Sequence, residues 1–160
     1  MTQSPVTNGL FEGAAVLQKT TTVNGTFVAN GVTIPVTASG TAFVDPTCVA
    51  KGWVGEEHVV LSSVATVPDT AKVNDTGLWH TSNRDAGSTR SSWLGTSVAR
   101  FALAPDTATT ALLDIIQIDK DTLGNTTTTS TAVFRMTPAG DLTRLSETAV
   151  DSTTTLTLTY

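Results

Sequence analysis

The chain has 160 residues, a formal net charge of −5 and only nine lysines and arginines, while about one residue in five is threonine. That length suits one domain with a sizeable core, and the scattered cations exclude a nucleic-acid binder, which needs clustered Lys and Arg to neutralise phosphates. Threonine is β-branched and favours strands over helices, so the composition points to β structure throughout.

Taken in chain order, Met1-Thr2-Gln3-Ser4-Pro5 lacks the basic and apolar regions of a signal peptide. Turn signals at Asn8-Gly9, Asn24-Gly25, Asn30-Gly31 and Ser39-Gly40 punctuate the first quarter. Asn-Gly pairs allow the positive backbone torsions of a two-residue hairpin turn, so Phe27 to Ala29 and Val32 to Val36 read as a hairpin. Pro35 cannot donate to a ladder and belongs on an edge or at a bulge. Thr41 to Val44 is the next strand, and Cys48 is the only cysteine, so no intrachain disulfide can form and synthesis in a reducing cytoplasm is expected. Val59 to Val67 carries apolar residues on both faces and is expected to be covered on both sides.

The segment Asp75 to Leu94 is polar and turn-rich, yet holds Trp79, His80, Arg84, Arg90 and Trp93. It reads as a long loop that meets a protein partner, because interface hot spots combine tryptophan with arginine. Strands follow at Ser97 to Leu103, Leu112 to Ile118, Thr126 to Met136 and Leu142 to Leu145. The one helical candidate, Thr107 to Ile118 with Asp106 as its cap, has Ile115, Ile116 and Ile118 in its second half. Those β-branched residues favour a strand that pairs with Ala132 to Met136 through the Lys120 to Asn125 turn. No apolar run is long enough to cross a bilayer, the longest being broken by Asp114 and Gln117.

Val150 to Tyr160 alternates apolar and hydroxyl residues, the period of a strand with one buried face. Leu156, Leu158 and Tyr160 are therefore candidate oligomer contacts, through which subunits would complete one another's sheets. Eight or more short strands joined by Gly and Pro turns predict an all-β fold, an antiparallel β-sandwich or jelly roll with long loops and at most one short helix. The expectation is a single β domain over 1–160, with its long polar loop around 75–94.

The constellations that carry chemistry are weak. His58 and His80 beside Glu56, Glu57 and Asp85 have no ligand spacing, so no metal and no cofactor are expected. The Gly-x-Ser-x-Gly context of a serine hydrolase is missing, and Glu12, Glu56, Glu57 and Glu147 give no sign of two carboxylates across a cleft, so no catalytic residue is assigned. Trp53, Trp79 and Trp93 could form a sugar-stacking platform, which keeps a carbohydrate-binding module as the alternative from another functional class.

At Ala132-Val133-Phe134-Arg135-Met136-Thr137-Pro138-Ala139-Gly140-Asp141-Leu142-Thr143 the chain resembles bacteriophage virion proteins, in which an apolar strand ending in Phe-Arg leads through a Pro/Gly-Asp turn to a short return strand. The resemblance covers about a dozen residues and is joined by the Thr-rich, acidic character of the whole chain. It implies a capsid decoration, or cement, protein: a non-enzymatic homotrimer on the outer surface of the virion that binds the major capsid protein and stabilises the shell. A tail or fibre module is the sibling reading. The chain departs from the best-known small decoration fold in lacking its Gly-rich N-terminal arm.

Overall fold

The structure is a computed structural model that describes residues 2–29, 32–65 and 70–159. It is all-β and antiparallel, with no helix among the described residues. The strands are β1 (Thr2–Gln3), β2 (Thr7–Phe11), β3 (Ala14–Ala29), β4 (Val32–Val44), β5 (Ala50–Val54), β6 (Glu57–Val64), β7 (Thr76–Ala86), β8 (Trp93–Pro105), β9 (Ala111–Lys120), β10 (Thr126–Met136), β11 (Leu142–Asp151) and β12 (Thr155–Thr159). From β3 onward, hydrogen-bonded neighbours are also neighbours in sequence, and β1 and β2 both pair with β3. This meander takes the place of the crossing connections of a jelly roll, because short turns join most successive strands and leave each the nearest partner for the next.

The residues group into two compact units, one of 1–61 with Arg84–Trp93 and one of Ser62–Asn83 with Leu94–Tyr160. In the first, β3 and β4 pair from Leu17↔Val44 to Ala29↔Val32, including Phe27↔Ile34 as the Asn-Gly signal predicts, although the turn residues Asn30 and Gly31 lie outside the described residues. Pro35 pairs with Thr26 in a stretch of β4 that β5 does not reach, since β5 meets only Thr41 to Val44, so its missing N–H costs no ladder bond. The core is small. Phe11, Val16 and Phe43 are buried, with Val54 and Val60 against them, and the Phe11 ring stacks on Phe43 at 4.3 Å. Gly52 is required by close approach: a Cβ there would overlap the Val59 carbonyl oxygen and the Phe11 ring. His58 and Val59 are both buried at the start of β6, as two-sided cover predicts, whereas Ser62, Ser63 and Val64 are exposed and Val67 lies outside the described residues.

The second unit is built on β8 to β12 with the adjoining parts of β6 and β7. Residues 111–120, which include the second half of the helical candidate, form strand β9, and Ile115 pairs with Ala132 through the turn at 121–125 as the β-branched run predicts. Two expectations need correction. Residues 75–94 are for the most part not a loop, because Thr76–Ala86 is strand β7 and its polar side chains find partners across the sheet. The alternating run at 150–160 is not one strand: β11 ends at Asp151 and β12 begins at Thr155, after a turn closed by Asp151. Leu156 and Leu158 are 47% and 43% exposed rather than buried, because β12 is the last strand of the order. Tyr160 lies outside the described residues.

Aspartates close several turns. The Asp121 carboxylate accepts hydrogen bonds from the Asn125 side chain and from the backbone N–H of Leu123 and Asn125. Asp151 accepts from the N–H of Thr153 and Thr154, and Asp45 from the Thr47 hydroxyl and the Val49 N–H. These bonds hold all three carboxyls below the usual carboxylate value of 3.8, with the Thr47 hydroxyl, the Asn125 side chain and the Thr153 N–H the leading causes for Asp45, Asp121 and Asp151 respectively. A carboxyl with a depressed value in the folded state takes up its proton more readily when the chain is unfolded. Its stabilising effect is therefore complete above the unfolded value and is lost as pH falls towards the folded one. Thermal unfolding is expected to hold a steady midpoint down to about pH 5 and to fall below about pH 4. A flat midpoint across that window would show that the turns do not depend on these carboxylates.

Candidate functional site

Two features of the structure concentrate chemistry or apolar surface. The first is a charged cluster in the first unit. The turn between β2 and β3 places Glu12 (φ 50°) and Gly13 (φ 78°) in the left-handed region, and Arg90, in the turn between β7 and β8, has φ 57°. Such torsions are costly for residues other than glycine and persist where surrounding bonds fix them. Here the two strained residues hold each other, with Arg90 Nη1 donating to Glu12 Oε2 at 2.7 Å. Arg90 Nε also donates to Asp85 at 3.0 Å, and Glu12 Oε1 lies 2.9 Å from His58 Nε2. Beside them Arg84 forks onto Glu57 through Nε and Nη2 at 2.8 and 2.6 Å.

The cluster resembles a triad only in composition. The other His58 nitrogen faces the Ser88 carbonyl at 3.3 Å rather than a hydroxyl. Both ring nitrogens meet acceptors, so the imidazole has no position from which to draw a proton off a nucleophile. Among the described residues no group of three or more His, Cys, Asp or Glu side chains is arranged to hold a metal ion. The cluster is a clamp that ties two turns of the first unit together.

The second feature is a groove of about 480 Å³ in the second unit. Phe101 and Leu103 of β8 pair with Ile115 and Leu113 of β9, so strand alternation sets these four side chains on one face as the floor. Trp79 of β7 forms one wall, and Met136 and Pro138 at the end of β10 another. A Cβ on Gly77 would come within 2.6 Å of the Phe101 ring, so glycine there lets the ring lie flat against β7. The groove has the size of an ordinary ligand or side-chain pocket.

The five residues expected to meet a partner are not all of one kind. Trp79 is the groove wall. His80 follows it, its ring edge-on at 6.5 Å, and burial pushes its pKa below the usual histidine value. Arg84 and Arg90 are engaged by carboxylates of their own chain, and Trp93 opens β8 with 46% of its surface exposed. Arg84, Arg90 and Trp93 belong to the first unit, Trp79 and His80 to the second. The floor residues Phe101, Leu103, Leu113 and Ile115 were not singled out from the sequence. Their signal, alternation within two adjacent strand runs, is identical to that of an ordinary core face.

No protein-family model, curated protein or solved structure matches the chain.

Proposed function

We propose that the protein is a non-enzymatic structural component of a virion, a capsid decoration protein that docks on the outer shell through the apolar groove of its second unit. The observation that carries the reading is the groove itself: a depression of about 480 Å³ lined mainly by apolar side chains, with Trp79 among them. An apolar concavity of this size can seat an apolar segment of a partner, and tryptophan is enriched at interface hot spots. The virion context comes from the resemblance at 132–143, and Met136, Pro138 and Gly140 of that stretch are groove residues. The occupant is an apolar segment of the major capsid protein.

Co-sedimentation with shells assembled from the major capsid protein of the genome that encodes this chain tests the proposal. Saturable binding is expected, with Trp79→Ala weakening it by about 30-fold, the effect of a hot spot of about 2 kcal/mol. A chain that stays in the supernatant at all shell concentrations overturns the reading. Glycan binding that is lost on Trp79→Ala would instead favour the carbohydrate-binding module, whose stacking platform would be the same indole.

A further inference from the structure

We propose that the chain forms a two-fold dimer in which β12 pairs antiparallel with β12 of a second copy, centred on Thr157. The strand is the last of the hydrogen-bonded order and meets β11 on one side only, from Ser146↔Thr159 to Val150↔Thr155. At the turn, the Asp151 N–H donates to the Thr154 carbonyl at 3.0 Å. Hydrogen-bonded and open pairs alternate along an antiparallel ladder. Ala149–Leu156 and Glu147–Leu158 are therefore the bonded pairs, and Thr155, Thr157 and Thr159 turn their N–H and C=O groups away from β11.

Those outward groups belong to a palindrome. Thr155-Leu156-Thr157-Leu158-Thr159 reads the same in both directions. Laid antiparallel on itself about Thr157, the strand sets Thr157 against Thr157 of the second copy and Thr155 against Thr159, so each outward donor meets an outward acceptor. Leu156 falls opposite Leu158 of the second copy, which covers the two leucines that stand 47% and 43% exposed. On the other face, Thr157 Oγ1 already lies 3.2 Å from Thr148 Oγ1, and the pairing carries that row of hydroxyls across the axis.

A second copy fits better than a head-to-tail neighbour because the two edges of the strand order differ. Soluble proteins guard an exposed edge with charge, proline, bulges or very short strands. The β1–β2 edge has such guards, being two short strands separated by Ser4-Pro5-Val6. The β12 edge is as short as β2, but it carries no charged residue, no proline and no bulge in its register with β11. A self-complementary edge closes on itself as a dimer, whereas pairing unlike edges would propagate. The pairing is independent of the capsid reading and replaces the three-fold assembly that the resemblance implies.

Sedimentation equilibrium of the full chain from micromolar to millimolar concentration tests it, with a concentration-dependent species of twice 16.6 kDa expected. Thr157→Lys sets two ammonium groups face to face across the axis and is expected to raise the dissociation constant at least tenfold with an unchanged circular dichroism spectrum. Register is read by disulfide trapping in a Cys48→Ser background with oxidised glutathione as oxidant. Thr157→Cys sets two thiols in one bonded pair, with Cα atoms about 5.5 Å apart, within disulfide reach. Thr155→Cys faces Thr159 and should stay uncross-linked. A chain that is monomeric throughout, a trimer, a dimer indifferent to Thr157→Lys, or equal cross-linking at 155 and 157 would each overturn the proposal, and if Thr157→Lys fails to fold, the cross-linking pair decides.

Discussion

Phe11→Ala is expected to destabilise the protein by about 3–5 kcal/mol, the range for deleting a buried aromatic ring. Phe11 is only 6% exposed, and its ring stacks between Phe43 at 4.3 Å and His58 at 5.3 Å. It also fills the space against Gly52, where even one added methyl group would overlap it. Truncation opens a cavity among three elements, and the neighbouring rings lose stacking as well as contact area. Set against a typical total of about 5–15 kcal/mol, the loss is a large share of stability. The midpoint of urea unfolding should drop sharply for Phe11→Ala and much less for Phe11→Leu, which keeps most of the volume. Equal midpoints for wild type and Phe11→Ala would show that this small cluster is not what stabilises the first unit.

Arg84→Ala is expected to cost about 2–3 kcal/mol through a different route. The Arg84 side chain is 13% exposed and donates two short hydrogen bonds to Glu57, whose carboxylate is 33% exposed. Removing the guanidinium leaves that carboxylate half-desolvated without its fork of donors, a cost that water at its exposed side offsets only in part. Arg84→Lys should fall between wild type and alanine, because an ammonium keeps the charge but cannot reproduce the planar bidentate geometry. Urea unfolding measured for Arg84→Ala, Glu57→Gln and the double variant reads the coupling directly. Additive losses would mean that the two side chains stabilise the fold separately.

The residues whose roles were legible in the sequence are those whose structure is decided by near neighbours. Ile115, Ile116 and Ile118 resist helix through their own β-branching, and they lie in β9, paired with β10 where the turn at 121–125 places them. Pro35 could be assigned to an edge because the missing N–H is a property of the residue itself, and it lies where β4 has a neighbour on one side only. The polar stretch 75–94 was misleading for the opposite reason. Asn83, Arg84 and Asp85 look like loop residues until Glu57, 27 residues away, is brought beside Arg84, and nothing local announces that partner. In the run at 150–160 the hydroxyl residues Ser152, Thr153 and Thr154 suit a strand or a turn equally, and the bonds of Thr153 and Thr154 to Asp151 make them a turn.

By itself, then, the sequence determined that this is a threonine-rich antiparallel β protein, and it marked the Asn-Gly hairpin and the Lys120 to Asn125 turn, because strand preference and turn chemistry act over a few residues. Only the tertiary structure decided that Glu12 and Arg90, 78 residues apart, would clamp each other, and that Phe101, Leu103, Leu113 and Ile115 would line one groove with Trp79 and Met136. It also left β12 at an edge with its leucines exposed. Alternation specifies which side chains share a face but is silent on what covers that face, and the cover depends on which strands pair and in what register.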